Sequence, residues 1–373
     1  MDHVVMQRLG RFTRHFRGTL FVIGMLVVMF CLKNIWRLLP PNFTWIDLRN
    51  HEQSLPILSP VVEPRLFLEQ SLFLLVIISS SPNKQVNAER RNMIRKTWGN
   101  VGETRVPNDV AWKVVFMMGK AQEDKMDRAV MAEYSKNGDL LVGDYKDGYR
   151  NILKKLLMAF QWASKIKCSY VLKTDDDVYI EIPKVIEWVI ARNDVNFLYG
   201  GNLYHAEVVR DKSHRHYVTE EDLSLEHYPV YCKGSMMVVS KSLVPKMVDL
   251  SKHIKRIGPD DAYIGLLAFQ LGLKPVQIKG FHQSSYIYMF INYLSTCQLQ
   301  ELIGIGDSLS PSQVKYIHEV KTSLANGNEV PSTFCISLRG EFLLSLLLCC
   351  TLLLILSSCC CRQRFCSRLK KLR

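Results

Sequence analysis

No glycine-rich phosphate loop of the Walker or dinucleotide type occurs in the 373 residues, and there is no internal repeat or low-complexity tract. The first absence removes the two commonest backbone cradles for a nucleotide, and the second removes solenoid and fibrous architectures. Cysteine is scarce in the middle of the chain. Of eleven, only Cys168, Cys232, Cys297 and Cys335 fall outside the two apolar ends, which in an oxidising compartment allows at most two disulfides in three connectivities. The net charge of +13 does not imply nucleic acid. Residues 1–17 hold +3 and residues 362–373 hold +6, so only +4 is left for everything between. Basic residues in those two places serve helix orientation and attraction to anionic lipid.

Both ends of the chain carry membrane signals. Gly18 to Leu32 is apolar apart from Thr19, follows Arg8, Arg11, Arg14 and Arg17, and is closed by Lys33. No small-residue cleavage site comes after it, only Asn34-Ile35-Trp36-Arg37, so an uncleaved signal anchor is expected in place of a cleaved signal peptide. Phe342 to Cys361 is a second run long enough to span, rich in leucine on every face and followed by six basic residues. The positive-inside rule then puts both termini in the cytosol and the middle in the lumen. The expected organisation is a basic tail (1–17), a signal-anchor helix (18–34), a stem (35–70), a luminal domain (71–340), a second span (341–361) and a basic tail (362–373). Asn42-Phe43-Thr44 is a glycosylation sequon in the stem, Cys359 to Cys361 form an S-acylation candidate, and Lys370-Lys371 resembles a dilysine retrieval signal.

Within the luminal part, strand and helix signals alternate. Apolar strands read over Leu72 to Ile78, Lys113 to Met118 and Asp139 to Val142, with helices over Glu89 to Trp98, Glu123 to Ser135 and Ile152 to Ala163. This alternation predicts an α/β fold with a mostly parallel sheet flanked by helices. The next strand, Tyr170 to Thr174, runs directly into Asp175, Asp176 and Asp177. Three adjacent carboxylates at a buried strand end need a cation or a cleft rim. An Asp-x-Asp pair there can hold Mg²⁺ or Mn²⁺ and leave positions open for substrate phosphates, and the bland alternative is an acidic turn. Asp177 is the first choice of metal ligand, and Asp176 points to the opposite face of the extended chain.

Five ordered motifs follow one another: Arg91-x-x-Ile94-Arg95-x-Thr97-Trp98-Gly99; Asp144-Tyr145 with Asp147, Tyr149, Asn151, Lys155, Met158 and Trp162; Lys173 to Val178; Tyr228-Pro229-x-Tyr231-Cys232-x-Gly234; and Asp260 to Gly265 with Leu271-Gly272-Leu273-x-Pro275. Together, over about Ser71 to Phe281, they resemble the β1,3-galactosyltransferase and β1,3-N-acetylglucosaminyltransferase family, glycosyltransferase family 31. The resemblance implies a GT-A type, Rossmann-like nucleotide-sugar fold, a Golgi membrane enzyme with a luminal catalytic domain, a UDP-sugar donor, Mn²⁺, and inverting transfer to the 3-hydroxyl of an acceptor glycan. UDP-galactose is favoured as donor, UDP-N-acetylglucosamine next, and membrane lipid and homo- or hetero-oligomers with other transferases are the expected associations.

Under that resemblance Asp175, Asp177 and His282 are the candidate metal ligands, and Arg91, Arg95, Lys173, Asp175 and Asp176 the candidate donor-binding set. Inversion in one displacement needs a base on the acceptor side. Asp261 is the choice, with Asp260 as the neighbouring alternative. Read without the resemblance, Gly258-Pro259-Asp260-Asp261 is a helix start in which an acid merely caps the N-terminus. His282 alone reads as an ordinary surface or core histidine, Arg91 and Arg95 as a basic helix face, and Trp98 as packing. Three departures from the family pattern are Ser235-Met236-Met237 after Gly234, Leu266-Leu267 where a cysteine is expected, and the second membrane span. They leave open a catalytically weak relative acting as a membrane-bound glycan-binding scaffold. A two-metal phosphodiesterase or nuclease lacks the additional His/Asp set it would need.

Overall fold

The computed structural model describes residues 59–66, 71–283 and 296–326, together with Leu48. The expected membrane spans, the stem sequon, the candidate acylation cysteines and the dilysine tail lie outside the described residues. Among those described, no helix is long and apolar enough to cross a membrane.

The first half follows the alternation read from sequence: β1 (Pro60–Val62), β2 (Leu72–Ser79), α1 (Gln85–Lys96), β3 (Trp112–Lys120), α2 (Asp124–Asn137), β4 (Leu140–Lys146), α3 (Ile152–Ala163) and β5 (Cys168–Asp175). Helix α2 stops where Gly138 adopts a left-handed conformation, φ +70°, and donates its N–H back to the Tyr134 carbonyl. After the acids come β6 (Tyr179–Ile180), α4 (Ile182–Arg192), β7 (Tyr199–Tyr204), β8 (Tyr231–Ser240), α5 (Leu243–Leu250), α6 (Asp260–Gln270), β9 (Val276–Gln277) and β10 (Phe281–Gln283). The chain closes with α7 (Thr296–Glu301), β11 (Gly304–Gly306) and α8 (Pro311–Ala325).

Eight strands form one sheet in the order β1-β4-β3-β2-β5-β8-β7-β9, and β10-β11-β6 form a second, smaller one. Strands β4, β3, β2 and β5 are parallel, as alternating strands and helices require. The expectation of a mostly parallel sheet needs correcting at both flanks: β8 pairs antiparallel with β5 and with β7, and β1 antiparallel with β4. No crossover helix separates β7 from β8, so nothing forces those two to run the same way.

Side-chain alternation along β2 divides the core between two faces. Leu75 and Ile77 pack with Leu156, Leu157 and Phe160 of α3 on one side. Leu74, Val76 and Ile78 pack with Ile94 of α1, Ile186 of α4 and Ile317 of α8 on the other. Strands buried on both faces read as continuous apolar runs, which is what Leu72 to Ile78 is. Each fully buried aliphatic side chain contributes about 1.5–3 kcal/mol to holding this frame rigid beneath the acids.

Strand β8 matters most for the site. Its partner register sets Thr174 opposite Met236, so its N-terminal end, Tyr231 to Gly234, continues past the end of β5. Helix α6 lies against that overhang through Gly265, where a Cβ would stand 2.4 Å from the Cβ of Tyr231. Gly265→Ala must push α6 away from β8 and is expected to cost about 1–3 kcal/mol in denaturant titration. A change under about 0.5 kcal/mol, within the scatter of neutral surface substitutions, would mean that the close approach does not fix the helix.

Cys168 and Cys232, two of the four cysteines outside the apolar ends, are free thiols. That corrects the allowance of two disulfides, since neither contributes to one. Cys335 and the side chain of Cys297 lie outside the described residues.

Candidate active site

Asp175 ends β5 in register with Ser79 at the end of β2, so the three acids emerge at the carboxyl edge of the parallel strands. Their environments differ sharply. Asp175 accepts a hydrogen bond from Lys173 Nζ at 2.9 Å. Asp176 turns inward, 5 % exposed, and accepts from Ser80 Oγ at 2.6 Å and Asn87 Nδ2 at 2.9 Å, with Arg90 Nη1 at 3.4 Å. Burial raises its pKa against those stabilising bonds. Among the described residues, the cation that Asp177 meets is Arg90, at 3.8 Å. Burial first, then the charges of Asp175 and Asp176, push its carboxyl up to about 7; Arg90 opposes them, and Asp307 adds to them. Behind the acids, Trp98 is packing, as read from sequence, and its indole N–H donates to the Val178 carbonyl at 3.1 Å.

Lys173 belongs to the candidate donor-binding set. It is, however, 2 % exposed, with its ammonium bonded to Asp175 and to the Gly234 carbonyl and 3.9 Å from Asp260. Burial disfavours its charge, but Asp175, Asp260 and Asp261 outweigh that and raise its pKa. Lys173 therefore acts through the acids it holds.

Arg91 and Arg95 likewise do not face the acids' cleft, which corrects their assignment to the nucleotide. Arg91, 2 % exposed, forks onto Glu133 at 2.8 and 2.6 Å and donates to Ser80 Oγ and the Ser81 carbonyl, both at 2.9 Å. Arg95 is held by Asp139 at 2.7 and 2.9 Å and by Glu133 at 2.7 Å. Both guanidinium groups are engaged by carboxylates. Arg91 supports the site one step removed, because the Ser80 hydroxyl it fixes donates to Asp176. The cation beside the acids is the half-buried Arg90, which the sequence motif passed over.

Lys155, buried on α3, donates to the Ser80 carbonyl at 2.8 Å, and Asp147 accepts the Gly119 N–H at 2.8 Å. These two motif residues thus anchor the ends of β2 and β3.

The second pair of acids opens α6. The helix N-cap is Pro259, which makes no side-chain capping bond, and Asp261 in the first turn takes one of the helix's free N–H groups, that of Ala262, so the bland reading survives in part. Asp260 is 9 % exposed, and burial raises its pKa against the opposing charge of Lys173. Asp261 reaches across to β8: Oδ2 accepts the Gly234 N–H at 3.1 Å and Oδ1 the Ala262 N–H at 2.8 Å. Burial also raises the pKa of Asp261, opposed by those two backbone bonds and by Lys173. The side chain is part of the wall of a cavity of about 500 Å³ lined also by Tyr204, Tyr228, Tyr231, Lys233 and four histidines, His205, His214, His216 and His227. Tyr149 stands at its edge, its hydroxyl 2.7 Å from His216 Nδ1. None of these lining residues except Asp261 was singled out as a site residue from sequence. The available signal was composition, for four of the chain's ten histidines fall between 205 and 227.

His282 lies on β10 opposite Ile305. It does not complete a metal cage with Asp175 and Asp177, because among the described residues no three His, Cys, Asp or Glu side chains gather into a metal-binding group. The acids still fit a hard cation of another kind. Asp175 is partly exposed and Asp177 carries a charge that burial and its neighbours penalise, which suits an ion held by one or two carboxylates and completed by phosphate oxygens.

Comparison with known proteins agrees with this arrangement. The galactosyltransferase family model matches residues 89–279, just over half of the chain and from α1 through β9 to Lys279. A UDP-GalNAc:β-1,3-N-acetylgalactosaminyltransferase 1 of Rattus norvegicus is 29 % identical over 244 residues, 63 % of this chain and 70 % of that protein. A lactosylceramide 1,3-N-acetyl-β-D-glucosaminyltransferase of Homo sapiens is 29 % identical over 215 residues, 55 % and 56 %. A human β-1,3-galactosyltransferase 9 is 27 % identical over 222 residues, 58 % of each. The matched segment contains both acid pairs and the overhang of β8 that joins them, and the chain belongs to the galactosyltransferase family of β1,3-glycosyltransferases.

Proposed function

We propose that this chain transfers a hexose or N-acetylhexosamine, galactose first and N-acetylglucosamine next, from a UDP-sugar to the 3-hydroxyl of a glycan on glycoprotein or glycolipid, with inversion at the transferred carbon. The observation that carries this reading is Asp261, a carboxylate on the wall of an open cavity that is bonded to the same strand overhang as the Lys173–Asp175 pair. The donor's place is the edge with Asp175 and Asp177, and the acceptor's is the cavity.

Each oxygen of Asp261 accepts one backbone N–H and keeps a further lone pair for the acceptor hydroxyl. Burial raises its basicity, so it can take the proton as the oxygen attacks. The leaving diphosphate departs toward Asp175 and Asp177, where the half-buried Arg90 is the neighbouring cation. A divalent ion held there, Mn²⁺ in this reading, would neutralise the charge that develops on the leaving group. Asp176, Ser80 and Asn87 fix the strand end and do not touch the reacting atoms.

Three relatives of similar identity are named for three different donor sugars, so the donor is tested directly. Purified protein is supplied with UDP-galactose, UDP-N-acetylglucosamine and UDP-N-acetylgalactosamine, and UDP release is measured with and without acceptor. Acceptor-stimulated release from one of the first two supports the proposal, whereas no release from any donor favours the glycan-binding scaffold.

In this reading the catalytic domain is luminal in the Golgi, between two spans, with both termini cytosolic. In sealed microsomes a C-terminal epitope is expected to be cleaved by added protease. Full protection would place the tail in the lumen and end the case for the second span. Replacing Lys370 and Lys371 by Ser is expected to move the protein from early secretory membranes to later Golgi.

A further inference from the structure

The cavity beside Asp261 is walled by two cations that meet no carboxylate among the described residues. Its wall carries Lys233 and Arg215 against two carboxylates, Glu207 and Asp261. Asp261 is bound to backbone N–H groups and committed to the proton, while Glu207 is 84 % exposed, 3.9 Å from His227 Nε2. Around the donor edge every buried or half-buried cation meets a carboxylate: Arg90, Arg91, Arg95, Lys155 and Lys173 all do. Lys233, also half-buried, differs, and Arg215 is an exposed cation in the same wall. The Lys233 ammonium lies 4.6 Å from the centre of the Tyr204 ring, and among the described residues it pairs with no carboxylate. Arg215 lies over the Tyr149 ring at 5.4 Å and donates to His216 Nε2 at 3.0 Å, again without a carboxylate partner among those residues.

Burial lowers the pKa of Lys233, and the charges of Asp307 and Asp261 only partly offset it. Burial also lowers the pKa of His205 and His216, which reduces their share of the wall's positive charge beside Lys233 and Arg215. A cation already seated on an aromatic ring and open to a cavity gains further from an anion, because the bond is charge-assisted and the ring stays in place. Tyr204 and Tyr231, edge to face at 5.8 Å, supply the apolar surface on which a sugar ring rests.

We infer that the acceptor taken by this cavity is an anionic sugar, one bearing a carboxylate or a sulfate, with its negative group held by Lys233 and Arg215. The inference rests on the transferase reading only in treating the cavity as the acceptor site, and its test is a binding measurement that needs no turnover. The full chain in detergent is titrated, by ligand-observed NMR, with methyl β-galactoside, its 6-sulfate and methyl β-glucuronide. The sulfate and the glucuronide are expected to bind about tenfold more tightly than the neutral galactoside, the scale of one charge-assisted hydrogen bond. The more tightly bound of the two identifies the anion. Lys233→Ala and Arg215→Ala each bring the ratio toward one, and Lys233→Arg restores it.

Equal binding of charged and neutral sugars by the unmodified chain would overturn the inference, as would a ratio unchanged in both alanine variants. If Lys233→Ala weakens UDP instead and leaves the sugar ratio intact, Lys233 serves the donor and the inference also fails. Selective anion binding without any transfer would count against the proposed activity and leave this inference standing.

Discussion

Asp261→Asn lowers turnover by roughly 10²-fold or more, the scale of general-base assistance, while UDP affinity stays close to that of the parent. The amide keeps the shape and one oxygen, so it still accepts a backbone N–H from Gly234 or Ala262, and α6 remains against β8. What it loses is the ability to take a proton. Single-turnover rates with saturating donor separate the two effects, and calorimetry with UDP supplies the control. Near-normal turnover would leave Asp261 as a residue that joins α6 to β8 and nothing more. A defect seen only in Asp260→Asn would move the base to a side chain that is 9 % exposed and already beside Lys173.

Asp177→Asn has two opposite consequences. Metal-dependent UDP binding is lost, because an amide lacks the charge a hard cation requires. The metal-free protein, however, becomes more stable. The folded-state pKa of Asp177, about 7, lies above its ordinary 3.8, so between those values the unfolded chain releases the proton that the fold retains. Stability of the metal-free parent therefore falls as pH rises from about 4 to about 7, through this group. The Asn variant lacks that part of the fall, and thermal melts across that range measure it. Saturating divalent ion is expected to return the lost stability to the parent and not to the variant. Unchanged metal-dependent UDP affinity in a folded Asn variant would remove Asp177 from the site.

The parallel half of the sheet was legible because buried strands and amphipathic helices have different periods, and each strand from β2 to β5 is an apolar run set off by a helix. The antiparallel entry of β8 was not. Tyr231 to Ser240 is as apolar as a parallel strand, and nothing in such a run encodes which way its neighbour points. The position of the three acids at the end of β5 was legible because the apolar strand run stops there. The choice among arginines was not, because it depends on helix phase. Arg91 shares the inward face of α1 with Ile94 and is consumed by Glu133, while Arg90, one residue earlier and about 100° around the helix, stands beside Asp176 and Asp177. The cavity wall from Tyr204 to His227 lies largely outside regular elements, where neither period nor cap reports a position.

The most direct test is the linkage of the product. The nucleotide sugars proposed as donors are α-linked, so a single displacement with Asp261 as base leaves a β-anomer on the acceptor's 3-oxygen. The product made from UDP-galactose or UDP-N-acetylglucosamine with Mn²⁺ is isolated and its anomeric proton coupling and inter-residue contacts are read by NMR. A β1,3 linkage, formed by the parent and at least about 10²-fold more slowly by Asp261→Asn, is the predicted result. An α-linked product, or transfer that proceeds equally well without Asp261, would contradict the account.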